Sequence, residues 1–260
     1  MLFNSYGDVV VQAGIEIVAA LSRRRPRCCR YSVTQSHSTT MNIRTLLTID
    51  GIFTTVVGLV FFFAPHLVAD FILDRKSDGV HWHLVRCIGG QIIAAGFVIL
   101  RFRDAGRVTH TVCYLLRIIS SIIFLMLIFQ CQSISPHLIS HLYLEIAKKF
   151  LIVCLIYNVI LLLSSGWEIG TTLLPGNKIG NCLYQLDAIA SICIGCAWLT
   201  FPKWLLHRQV TVPLDLSHEL CGRIMGGLFV SSYAVSTHAL HWTNTDDKIV
   251  AVDGRVVIVV

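Results

Sequence analysis

One pattern occurs twice in this chain, 137 residues apart and without a gap. Asp50, Gly58, Pro65, Asp78, His81, Arg86, Gly89 and Gly90 recur as Asp187, Gly195, Pro202, Asp215, His218, Arg223, Gly226 and Gly227. Between Leu46 and Val98, 11 of 53 positions are identical at this offset, most of them Asp, Gly, Pro, His or Arg, which shared apolar composition would not align. Self-similarity at a fixed period is the mark of a duplicated unit. The chain therefore reads as a tandem repeat, which constrains architecture more tightly than activity.

The unit belongs in lipid. Hydrophobic residues make up 55% of the chain and charged residues 14%, with a mean hydropathy of +0.70, whereas soluble domains carry about 25% charged residues. Six stretches approach the roughly 20 apolar residues that span a bilayer. They cover 46–64, 84–100, 112–130, 150–165, 183–201 and 220–240. Pro65 and Pro202 stop the first and fifth by removing a backbone donor. The expected fold is all-α: a polytopic helical bundle of about six transmembrane helices, four in the first copy and two in the second. The predicted divisions are a basic, disordered segment 1–45, a four-span repeat 46–166, a connecting loop 167–182, a partial repeat 183–242 and a tail 243–260.

Several features of the ends bear on this plan. The apolar patch 9–21 precedes its charges rather than following them, which makes a poor secretory signal, and Asp8 and Glu16 weigh against a mitochondrial presequence. Met41 is an alternative start. A complete second copy needs two more spans after Leu240, and Ile249–Val260, with Asp253-Gly254, reads as a short β-hairpin or a fragment of a span. Truncation of the gene and loss of the last half-repeat stand as alternatives.

The net charge of +6 comes largely from Arg23, Arg24, Arg25, Arg27 and Arg30, then Arg101, Arg103 and Arg107. These flank apolar spans, where basic residues set topology. No stacking platform or basic face accompanies them, so nucleic acid is not an expected partner. The bias puts the N terminus and the 101–107 loop in the cytoplasm, in an endomembrane or the plasma membrane. Four spans per period is an even number, so both copies enter the membrane in the same direction. Trp82, Trp167, Trp204 and Trp242 fall at span ends as interface anchors. Most of the ten cysteines lie in or beside apolar spans, as small hydrophobes would, and no disulfide is expected.

Charges inside spans are the candidate binding residues. Asp50 and Asp187 lie about four residues into their predicted spans, about 6 Å deep at 1.5 Å per residue. Arg86 and Arg223 open the following spans at the opposite face, so Arg86 is expected to meet Asp78, Asp74 or lipid phosphate. Arg117, rising from the same side as Asp50, is its expected partner. Gly58, Gly89, Gly90, Gly195, Gly226 and Gly227 supply small faces for helix packing. Cys193 and Cys196 form a Cys-x-x-Cys in apolar surroundings, where thiols are inert. His137, His141 and Glu145 recur every four residues on a predicted amphipathic helix 136–149, spacing able to hold a metal, yet better read as a solvated face. His81 and His218 fall in predicted loops, where capping or headgroup contact accounts for them. No metal, cofactor or catalytic set is expected.

Each copy's first two spans read as a glycine-bearing span, a proline, a polar loop and Arg-x-x-Gly-Gly: Gly58, Pro65 and Arg86 to Gly90, then Gly195, Pro202 and Arg223 to Gly227. This is similar to the DoxX-like group of small four-span membrane proteins. The resemblance implies a four-helix bundle. Some members are linked to quinol oxidation or receptor assembly, but the matched positions carry no catalytic residue across. The expected function is non-enzymatic assembly of other membrane proteins by helix packing. The alternatives are a small-molecule, ion or lipid transporter or binder using Asp50, Asp187 and Arg117 between the copies, and a redox partner using Cys193 and Cys196.

Overall fold

A computed structural model describes residues 37–73, 76–170 and 178–259, whose compact body is Ser38–Val260. The described elements are helices: α1 (His37–Phe63), α2 (Pro65–Ile72), α3 (Gly79–Phe102), α4 (Arg107–Ile134), α5 (His141–Ser164), α6 (Lys178–Thr200), α7 (Pro202–Gln209), α8 (Leu216–Ala239) and α9 (Thr245–Val259). Five of them, α1 and α3 to α6, are long and apolar enough to cross a membrane. Helix α8 matches them in length, but His218, Glu219, Arg223 and its serines make it less apolar. Pro65 and Pro202 each end a long helix and also open a short one, seated at the first turn where no backbone donor is needed.

Three expectations about boundaries are corrected. The amphipathic helix 136–149 does not exist as a unit. Residues 135–140 form a turn with an isolated bridge from Ile139 to Leu73, and α5 then runs unbroken from His141. The tail is no hairpin: Asp253 and Gly254 lie inside α9. A turn dipeptide is a local preference, and packing overrides it here, since a Cβ on Gly254 would lie 2.7 Å from Val98 of α3. Helix α1 begins at His37, so Asp50 lies thirteen residues into it, not four. Of the segment 1–45, residues 1–36 lie outside the described residues, as do 171–177 of the loop 167–182. Trp242 is also not an interface anchor. It is 2% exposed and packs edge-on against Phe102, 5.1 Å between ring centroids.

The bundle closes by backbone approach. A Cβ on Gly58 would sit 2.7 Å from the backbone nitrogen of Ile93 and 3.0 Å from the carbonyl oxygen of Gly89. One on Gly195 would sit 2.7 Å from the nitrogen of Val230 and 2.8 Å from the oxygen of Gly226. Thus α1 meets α3, and α6 meets α8, across the same glycine pair. Gly227 is met by Ile123 of α4, whereas Gly90 faces open space. Where α3, α4, α8 and α9 converge, Ile99, Phe102, Val112, Tyr114 and Ala239 are buried in one core. A second core joins Leu84, Ile88, Leu206, Met225 and Leu228. Around them α1, α5 and α6 turn Phe53, Phe150, Val153, Ile160, Leu183 and Ile189 outward, as lipid-facing helices do.

The glycine contacts carry a prediction. Gly58→Ala and Gly226→Ala force backbones apart and should destabilise the protein by about 1–3 kcal/mol, the usual cost of overpacking. Gly90→Ala should be neutral, or stabilising by up to about 1 kcal/mol through helix propensity. Thermal unfolding in detergent distinguishes these outcomes.

Candidate functional site

Depth in an apolar helix makes a carboxylate expensive, and each span-buried aspartate here has its own arginine. Arg117 of α4 donates to both oxygens of Asp50, Nε to Oδ2 at 3.0 Å and Nη2 to Oδ1 at 2.8 Å. Nη2 also donates to Thr54 Oγ1, whose hydroxyl donates to the Asp50 carbonyl one turn back at 2.6 Å. Arg255 of α9 does the same work for Asp187 of α6, with Nε 2.8 Å from Oδ2. Its Nη2 lies 2.8 Å from Ser191 Oγ, its Nη1 lies 2.9 Å from Ser232 Oγ, and Ser236 adds its hydroxyl to the carboxylate. The environments match closely: the carboxylates are 38% and 37% exposed, and both arginines are 21% exposed. Ser191 stands 137 residues after Thr54.

Asp50, Asp187 and Arg117 therefore do not share one polar site between the copies. The partner of Asp187 was hidden because the gapless offset puts Gly254, not Arg255, opposite Arg117. The link from α8 to α9 is five residues and that from α3 to α4 is four, which moves the arginine on by one. A search tolerant of one insertion would have found it.

Two clefts adjoin these pairs. One, of about 440 Å³, is walled by Asp50, Tyr114, Tyr157, Asn158, Leu47 and Leu161, from α1, α4 and α5. The other, also about 440 Å³, lies between α3, α8 and α9, with Arg255, Ser232 and Gln91 on its walls. The Gln91 side-chain oxygen is buried there without a hydrogen-bond partner.

Arg86 makes no ion pair among the described residues, and Asp74 lies outside them. Arg223 reaches Glu219 at 3.7 Å, one turn back on α8, and its Nε is buried without a partner. Cys193 and Cys196 are free thiols on the outward face of α6. Glu145 binds Lys148 and Gln132 rather than converging with His137 and His141.

At the far ends of α3 and α8 the structure assembles a cluster from residues expected in loops. His81 and His218 are each the third residue of a helix and are 0% and 1% exposed. Asp78 and Asp215 cap these helices, each accepting from two backbone N–H groups of the first turn. Each histidine reaches its own cap through Nδ1 at 2.9 Å and the other copy through Nε2. His81 meets Ser217 Oγ at 2.7 Å, and His218 meets Asp78 Oδ2 at 3.0 Å. The two rings face each other 3.8 Å apart. Burial pushes the Asp78 carboxyl up, but the His81 N–H, its ring and the neighbouring His218 bring it down to about 2. It is a carboxylate at neutral pH.

A family described only as a domain of unknown function, DUF8292, matches residues 48–260, most of the chain and all of these clusters. The chain belongs to the DUF8292 family. No curated protein and no solved structure matches it. In this DUF8292 member the matched region holds both Asp–Arg pairs, so its chemistry is read from its own geometry.

The pairs predict a particular mutational pattern. Arg117→Leu or Asp50→Leu strands a charge in an apolar setting and should cost about 3 kcal/mol, the low end for a buried pair because these groups are only partly enclosed. The double replacement removes both charges and should be close to neutral. A chemical-denaturation double-mutant cycle measures the difference.

Proposed function

We propose that this protein is a multi-pass integral membrane protein that binds a small amphipathic molecule, without catalysing a reaction, in the cleft beside Asp50. The observation carrying this reading is the two-pronged Asp50–Arg117 pair, set deep in an apolar helix and opening on a cleft lined by Tyr114, Tyr157 and Asn158. Ligand sites are largely apolar concavities with a few fixed polar groups, and ionisable residues within spans mark such sites by default. A lipid or isoprenoid-like molecule with a hydrogen-bonding head fits this chemistry. Assembly of other membrane proteins has weaker support, because Gly58, Gly89, Gly195 and Gly226 are spent on packing within the chain.

The proposed architecture is a parallel tandem repeat with six membrane helices, α8 being the sixth, shielded from lipid by its neighbours. Contact between the N-terminal ends of α3 and α8, through Asp78 and His218, supports the same direction for both copies. The cytoplasmic N terminus rests on arginine distribution alone, and kinship with the DoxX-like group rests on the repeated Arg-x-x-Gly-Gly pattern alone.

The charge-free double variant Asp50→Leu/Arg117→Leu tests the binding reading, because it is expected to fold. Protein purified in mild detergent should release a discrete small molecule on native mass spectrometry. The double variant should lose it, while Asp187→Leu/Arg255→Leu keeps it. Equal ligand content in all three proteins, or none in the wild type after reconstitution in native lipid extract, would sink the proposal.

A further inference from the structure

Val80 and Ser217 occupy matched positions in the two copies, and this difference breaks the symmetry of the helix-end cluster. The Ser217 hydroxyl donates to Asp215 Oδ1, so His81 Nε2, 2.7 Å away, is the donor in its contact with Ser217 Oγ. His218 Nδ1 lies 2.9 Å from the same Asp215 Oδ1 and 3.3 Å from the Asp215 N–H, so either ring nitrogen of His218 can carry its proton. His81 Nδ1 and His218 Nε2 lie 2.9 and 3.0 Å from the Asp78 carboxylate oxygens. Two buried imidazoles and a carboxylate thus bring one potential ligand atom each within reach of a single ion.

We propose that Asp78, His81 and His218 form a divalent-metal site, suited to zinc, that clasps the two copies together. Their donor atoms lie within 4.8 Å of one another. Zinc bonds of about 2.0–2.2 Å in a tetrahedron set neighbouring donors roughly 3.3–3.5 Å apart, so the two Asp78–imidazole separations, 2.9 and 3.0 Å, need only a few tenths of an ångström of expansion. The rings are tilted by 35°, and a wider tilt brings both lone pairs onto one ion. The supporting contacts are those metal-binding histidines use: with an ion bound, the other nitrogen of each ring is placed to donate to a carboxylate or hydroxyl. Here Asp215 holds His218 directly and His81 through Ser217. The Asp78 side chain is 45% exposed, which leaves water access for a fourth ligand. The donor set of two imidazoles and one carboxylate suits zinc over magnesium or calcium, which prefer all-oxygen shells.

The test uses the full chain in detergent, stripped with chelator and titrated with zinc chloride. Wild-type protein should retain a single equivalent of zinc through gel filtration, and zinc should raise its unfolding midpoint. Asp78→Asn keeps the helix cap, since Asn caps as well as Asp. It should weaken zinc binding at least about tenfold, while its metal-free unfolding midpoint stays near that of the wild type. His218→Gln should behave alike, and Ser217→Ala should weaken binding by about tenfold through the lost support of His81. His141→Gln, at the surface, should bind as the wild type does. A folded wild type that retains no zinc overturns the proposal. So does zinc binding that survives Asp78→Asn and His218→Gln unchanged, which would mark adventitious surface histidines.

Discussion

A charge within an apolar span is costly unless a partner neutralises it where it lies. The rest of this structure depends on that constraint. Asp50 fixes the position of α4 relative to α1 through Arg117, and Asp187 fixes α9 relative to α6 through Arg255. Hydrophobic burial cannot set such registers in lipid, where the surrounding chains are as apolar as the helices themselves. Directed contacts and close packing do it instead. The glycine approach brings α1 to α3 and α6 to α8, and the ion pairs add the third helix of each group. A guanidinium fork on a carboxylate tolerates little rotation, so each pair locks helix rotation as well as depth.

Reading the sequence recovered the all-helical architecture, the end of a long helix at each proline and the pairing of Asp50 with Arg117. The last followed from length alone: Arg86 begins its helix at the wrong face, and Arg117 enters from the right one. What stayed hidden failed for local reasons. Arg255 was lost to a single inserted residue and to Asp253-Gly254, whose turn preference yields to packing against Val98. The histidine cluster was lost because apolar periodicity starts α3 at Leu84, whereas the helix starts at Gly79. Those five residues contain the histidine, and its cap, Asp78, stands directly before them. Asp-x-x-His just before an apolar run is a polar helix start, and reading it as one in both copies would have placed His81 and His218 inside helices.

The two ends of the molecule use charge differently. At the Asp–Arg end, each copy satisfies itself, and no bond of the pair crosses to the other copy. At the capped end the opposite holds: His81 reaches Ser217 and His218 reaches Asp78. Among the described residues, the polar contacts that join the copies lie where their helices begin. Between the ends, contact is apolar, through Leu84, Ile88, Met225 and Leu228. The cleft holding Gln91 interrupts this seam near Arg255.

The duplicated parts are not equivalent in how their charge pairs are held. Around Asp187, the carboxylate Oδ2 accepts from Arg255 and Ser236, and the guanidinium has four oxygen-bearing neighbours within the protein: Asp187, Ser191, Ser232 and Ser236. Around Asp50 a single threonine takes that role, and the remaining space is walled by tyrosines and Asn158 of α5. Asn158 already donates to the Cys154 carbonyl at 2.8 Å, which turns its amide along the helix and leaves its oxygen for another donor. The first copy thus carries the same kind of charge pair with fewer internal hydrogen bonds around its guanidinium. On the binding reading proposed above, the guanidinium held by fewer protein oxygens, that of Arg117, is the one with capacity left for a ligand.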